Sequence, residues 1–269
     1  MTTTKELICE PGECSAGLAP STATDMPATD RRKSPPIWAI GVDGRRRGWL
    51  LAARNLLSGE FRVAIADSLR SILDADEARS ASIVIDMPIG LPDAGDRACE
   101  VEARRRLGPR RSSVFTSPAR RILAHTSYGE ANRHAKMLGR GLSRQAWAIA
   151  PKIREADAMM TPGMQEMIAE GHPELAFARL NGAPCADPKK TPAGESERRE
   201  ILLRAGLRQV DAALDDLRAR HPRKSDFAND DYYDACALSF TAEHRLSATA
   251  WRLGDGARDA RGLRMEIWG

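Results

Sequence analysis

Four aspartates carry the chemistry that this chain could do. Asp43 lies in Gly41-Val-Asp-Gly44, between two short apolar runs and just ahead of Arg45-Arg-Arg47 and Gly48. One anion beside three cations suits a site that holds a metal ion against phosphate or another anionic group. The glycines lack a Cβ, so the backbone can turn and approach a ligand closely. The plainer reading is a surface hairpin with a solvated turn. Asp86 ends the apolar run Ser82-Ile-Val-Ile85, and Met87-Pro-Ile-Gly-Leu-Pro92 then forces the chain away. Asp231 and Asp234 share one helical face with Leu238, Thr241 and Ala242. Carboxylates that continue a buried stripe need a cation, a proton or hydrogen bonds to offset desolvation. Helix capping accounts for Asp230 and Asp231. It accounts less well for Asp234, one turn further in.

The elements that would position these acids follow from pattern. Residues 37–42, 48–54 and 61–66 read as an antiparallel meander, with Asp43 where the first strand runs out. Residues 68–78 read as a helix capped by Asp67 or Ser68. The run at 82–85 reads as a strand buried on both faces, hence central and parallel to the first. A right-handed crossover lays it beside strand one, and neighbouring strands sit about 4.8 Å apart. Asp43 and Asp86 would then be adjacent at the carboxyl ends of two strands, where open α/β sheets bind ligands. The middle is mainly helical: 96–107, 128–138, 143–160 (broken near Pro151), 195–205 and 207–220. A strand is expected at 165–172, and Pro173-Glu174 opens a helix to 180. Loops fall at 108–118 and 181–194, the acid-bearing helix begins near 229, and 263–268 reads as an edge strand or a packing segment. The expectation is an α/β mixed sheet, three antiparallel strands then parallel ones, with flanking helices. Residues 1–36 read as a disordered tail, and 37–269 as one domain with a largely helical insertion at about 93–222.

A formal charge of +4 on 269 residues is too modest to argue for non-specific nucleic-acid binding. Local clusters say more: Arg104-Arg-Arg106, Arg110-Arg111 and Lys189-Lys190 could meet phosphate or form solvated faces. Cys9, Cys14, Cys99, Cys185 and Cys236 form no metal-type pair and fit reduced thiols. No apolar run approaches the ~18–20 residues of a membrane span, and no secretory signal is evident. The expectation is a cytoplasmic protein without a membrane partner. Trp49 and Trp147 read as core residues, Cys99 and Cys236 as small buried ones.

With Gly41-Val-Asp-Gly44, Asp86-Met-Pro-Ile-Gly-Leu-Pro92 and Asp231-Tyr-Tyr-Asp-Ala235 in hand, the chain resembles the DUF429 family, a group described as predicted nucleases of the ribonuclease H-like fold. The likeness also takes in Arg110-Arg-Ser-Ser-Val-Phe115, Ser143-Arg-Gln-Ala-Trp147, Pro151-Lys-Ile153, Gly171-His-Pro-Glu174, Leu180-Asn-Gly182, Lys189-Lys-Thr191 and Gly262-Leu-Arg-Met-Glu-Ile-Trp268. The Asp-x-x-Asp-Ala pattern is similar to that of Holliday-junction resolvases. The resemblance implies that Asp43, Asp86, Asp231 and Asp234 gather around two Mg²⁺ or Mn²⁺ ions, about 3.5–4 Å apart, to hydrolyse a phosphodiester. Asp43 would bridge or anchor the metals, Asp86 and Asp234 complete the cage, and Asp231 ligate or tune. Arg110, Lys152 and Lys190 are candidates for orienting phosphate, with surface charge as their blander role. Ser112 and Ser113 would contact phosphate through a loop nest or make turn hydrogen bonds. His172 and Glu174 are candidates for a catalytic or substrate role, against a simple helix start. Two departures stand out: Asp86 where such nucleases often carry Glu, and the basic turn at Arg45–Arg47. Nucleic acid is the implied partner; oligomeric state stays open, a homodimer included. The alternatives are phosphoryl transfer to or from a small molecule, and a binding module with a degenerate site.

Overall fold

In Trp38-Ala-Ile-Gly-Val-Asp-Gly44 bulky and small residues alternate, and a strand sends alternate side chains to opposite faces. The computed structural model, which describes residues 37–223 and 225–269, makes this stretch β1 (Trp38–Gly44). The tail expected over 1–36 lies outside the described residues. Trp38, Ile40 and Val42 join a core with Leu69, Ile72 and Ile153 on one face. Ala39 packs on the other, with Val84, Leu238 and Ala242.

The chain returns antiparallel as β2 (Trp49–Asn55) and again as β3 (Phe61–Ala66). A short α1 (Leu69–Leu73), capped by Ser68, and a 3₁₀ turn lead to β4 (Ala81–Ile85), which lies parallel to β1. β5 (Ile168–Glu170) adds parallel to β4, giving a five-stranded mixed sheet in the order β3-β2-β1-β4-β5. This α/β arrangement is compatible with the ribonuclease H-like expectation. The helices are α2 (Ala98–Leu107), α3 (Tyr128–Met137), α4 (Arg144–Ala148), α5 (Ala150–Met159), α6 (Pro173–Asn181), α7 (Pro192–Arg204), α8 (Val210–Arg220) and α9 (Asn229–Leu246).

Three elements differ from the pattern reading. The strand expected at 165–172 shrinks to three residues, because Gly163–Glu166 coil into a 3₁₀ turn. The helix expected over 68–78 ends at Leu73, and a separate 3₁₀ turn spans Asp76–Ser80. Of 263–268 only β7 (Ile267–Trp268) pairs as a strand, with β6 (Arg252–Leu253) in a separate ladder.

α9 is buried without a break from Tyr232 to Ala242. A helix apolar all round belongs inside, and α9 lies between the sheet and α6 and α7. Gly41 permits this: a Cβ there would stand 2.0 Å from the Ala235 carbonyl oxygen and 2.4 Å from Ser239 N. Both are helix backbone and cannot swing aside. Gly41→Ala is therefore expected to lift α9 and destabilise the fold by about 3 kcal/mol, read from the urea midpoint. A change within about 0.5 kcal/mol, the range of an ordinary surface substitution, would mean that α9 does not press on β1.

Candidate functional site

The same close approach assembles the acids. Val42 and Ile85 are partners in the parallel ladder, and Asp86 N–H donates to the Val42 carbonyl at 2.9 Å, so Asp43 and Asp86 leave adjacent strands side by side. Asp43 takes the face of Gly41, which α9 covers, and Asp234 precedes the Ala235 that rests on Gly41. Asp43 is 6% exposed and Asp234 1%.

Their electrostatics follow from burial among like charges. Burial, then the charges of Asp86 and Asp234, push the Asp43 carboxyl well above the usual carboxylate range; Lys189 opposes this and Asp231 adds to it. Asp234 is pushed up to about 7 by burial, against the pull of Lys189. The Lys189 ammonium stands 2.6 Å from Asp234 Oδ2 and 3.6 Å from Asp230 Oδ2. Burial alone would lower Lys189, but Asp234 and Asp43 outweigh it and hold the ammonium above the usual lysine range. Asp234 Oδ1 is buried with no hydrogen-bond partner.

Asp231 serves the helix: its Oδ2 accepts from Ala228 N–H at 3.0 Å, the reciprocal half of a capping box. Burial raises this carboxyl too, with the Ala228 N–H bond opposing. Capping therefore explains Asp231 and leaves Asp234 unexplained, as the sequence suggested.

The donors fit a hard divalent ion. They are all carboxylate oxygens, and one of them is an orphan. Among the described residues no group of three or more acidic, histidine or cysteine side chains already stands at ligating spacing.

The remaining candidates divide by location. The Lys152 ammonium donates to the Gly48 carbonyl at 2.5 Å and lies over the Trp49 ring at 4.4 Å, with burial lowering it. Asp43 and Asp231 are among the charges it feels, so it borders the acids while clamping the β1–β2 turn. Arg45 donates to the Asp226 carbonyl at 2.7 Å, tying that turn to the loop before α9. Lys190 is exposed and, with Arg46, Phe227, Asp230 and Asp231, lines a hollow at the start of α9.

Glu174 and Arg110 belong to a second centre. Glu174 Oε1 takes Arg198 Nη2 at 2.5 Å and Arg110 Nη2 at 3.4 Å. Ser113 Oγ donates to the Arg110 carbonyl at 2.8 Å, a turn bond, and Ser112 is exposed. His172 Nε2 lies 3.3 Å from the Ser113 carbonyl, and its ring lines a small cavity that Asp86 also borders.

Pattern reading missed three residues. Lys189 was noted only as half of a basic pair, yet it is the cation inside the cluster. Glu170 ends β5 as Asp86 follows β4, and Arg97 holds it bidentately at 2.6 Å on each bond. Burial lifts Glu170 to about 7 against the pull of Arg97. An acid inside Ile168-Ala-Glu-Gly171 was the available signal. Trp49, Cys99 and Cys236 are buried and Trp147 is partly so.

The chain belongs to the DUF429 family: residues 41–256 match its family model, described as a protein of unknown function. No curated protein matches the chain, and no solved structure does. No helix among the described residues is long and apolar enough to cross a membrane.

Proposed function

We propose that this DUF429 chain is a divalent-metal-dependent hydrolase of phosphodiester bonds, with nucleic acid as its substrate class. One observation carries the reading: Asp43, Asp86 and Asp234, from two strands and a helix, converge beyond the carboxyl ends of β1 and β4. One buried carboxylate oxygen there is left without a partner. The charges of Asp86 and Asp234 raise the buried Asp43 carboxyl, and a divalent cation among them would offset that repulsion.

Asp43, Asp86 and Asp234 would hold Mg²⁺ or Mn²⁺, which when bound supplies an activated water and charge neutralisation at phosphate. Asp231 fixes the first turn of α9 and so the direction of Asp234. Lys152 sets the β1–β2 turn against Asp43. Arg46 and Lys190, lining the hollow at the start of α9, offer exposed cations to flanking phosphates.

The test is a panel of single-stranded, duplex and branched DNA and RNA, incubated with Mg²⁺, with Mn²⁺ or with EDTA. Cleavage that needs metal and stops with EDTA is expected for at least one substrate. Absence of cleavage throughout, together with undiminished nucleic-acid binding in EDTA, would replace the hydrolase with a binding module.

A further inference from the structure

We infer that the Lys189 ammonium is a built-in counter-cation standing where a second metal ion would lie, so that the cluster takes one divalent ion rather than two. This rests on the metal-dependent reading above and changes its stoichiometry.

The lysine is not an ordinary surface side chain. It is 36% exposed, 2.6 Å from Asp234 Oδ2 and 3.6 Å from Asp230 Oδ2. Its loop is pinned on both sides. Ala186 and Asp187 donate their N–H groups to Glu197 at 2.8 and 3.0 Å. Arg198, itself gripped by Glu174, donates to the Asp187 carbonyl at 3.2 Å. Thr191 Oγ1 donates to the Pro188 carbonyl at 2.8 Å and accepts from Gly194 N–H at 3.1 Å at the head of α7. Glu174 thus acts on the acids at one remove, by holding the loop that presents Lys189.

The ligand supply points the same way. Two ions need a full set of oxygen ligands each. Asp234 has committed Oδ2 to Lys189, Asp230 faces the same ammonium, and Asp231 has committed Oδ2 to the Ala228 N–H. Asp43, Asp86 and the unpartnered Oδ1 of Asp234, whose side chain is 1% exposed, stand free of these commitments, beside the second oxygens of Asp230 and Asp231. Three carboxylates, waters and a substrate phosphate complete one Mg²⁺ or Mn²⁺. A second ion would have to take Asp234 Oδ2, which the Lys189 ammonium already occupies.

Mn²⁺ calorimetry and electron paramagnetic resonance on the full chain, compared with Lys189→Met and Lys189→Arg, provide the test. Wild type and Lys189→Arg are expected to bind one ion per chain, with the six-line spectrum of an isolated Mn²⁺. Lys189→Met, which keeps the length and removes the charge, is expected to bind two. Two ions in wild type, seen by stoichiometry or as a spin-coupled pair, would overturn the inference whether or not the variants fold. So would a single ion in folded Lys189→Met. No ion in any of the three would instead overturn the metal-dependent reading beneath it.

Discussion

Arg97→Met is expected to lower folding stability by about 3–5 kcal/mol, because it strands carboxylates inside the protein. Arg97 and Glu100 have side chains 1% exposed and Glu170 6%. The guanidinium binds Glu170 at two points of 2.6 Å and Glu100 at 2.8 Å, and it donates to the Ile89 and Gly90 carbonyls at 3.2 and 3.1 Å. Glu170 Oε2 also accepts from Ile89 N–H at 2.8 Å. The network therefore fixes the Met87–Pro92 segment that follows Asp86. At roughly 2–4 °C per kcal/mol for a domain of this size, the melting temperature should fall by about 6–20 °C. Adding Glu170→Gln removes one stranded charge and should recover part of the loss. Arg70→Met, which breaks an exposed 3.9 Å pair with Asp74, should leave the midpoint unchanged. A loss below about 1 kcal/mol in Arg97→Met would mean that the pair contributes no more than a surface bridge.

That network also marks where the sequence stopped being legible. Asp43 and Asp86 could be found because each follows an apolar strand run, and parallel pairing of those runs fixes their proximity. Asp234 could be found because a helix repeats every 3.6 residues and its face was otherwise small and apolar. Arg97 gave no such signal: it stands among Asp96, Glu100, Glu102 and Arg104, and a lone buried arginine in a charged stretch looks like a solvated one. Glu170 sits on a strand of three residues, too short to display an alternation. The role of Lys189 depends on where the 182–191 loop folds back, a tertiary fact with no local period. Adjacent Lys190 has the same residue type and faces solvent, so composition could not tell the two apart. Local pattern located the acids; it could not locate their counter-ions, which arrive from distant segments.

Asp43→Asn should separate function from stability, moving the two in opposite directions. Loss of the β1 carboxylate is expected to reduce metal-dependent cleavage by at least about a thousandfold, roughly 4 kcal/mol of barrier at 1.36 kcal/mol per decade. The same change should stabilise the metal-free protein by about 1 kcal/mol at pH 8, as substitutions that relieve a strained functional site commonly do. The sign follows from linkage. Burial and the charges of Asp86 and Asp234 raise the Asp43 carboxyl in the folded state, and Asp234 is raised to about 7. The fold therefore binds protons that the unfolded chain, titrating near 4, has released. Through Asp234, stability of the metal-free wild type rises as pH falls from about 7 toward 4, and the raised Asp43 carboxyl contributes with the same sign. Asn carries no charge at any pH, so its advantage should shrink as pH falls and Asp43 protonates. Saturating Mn²⁺ should reverse the order at pH 8. An ion at a hundred times its dissociation constant stabilises the protein that binds it by about 2.7 kcal/mol, a gain that Asp43→Asn forgoes. Melting curves of both proteins at pH 5 and 8, with EDTA and with Mn²⁺, contain the whole comparison. An Asn variant less stable than wild type in EDTA at pH 8 would make Asp43 a structural acid. Its conflict with Asp86 and Asp234 would then have no metal to answer to.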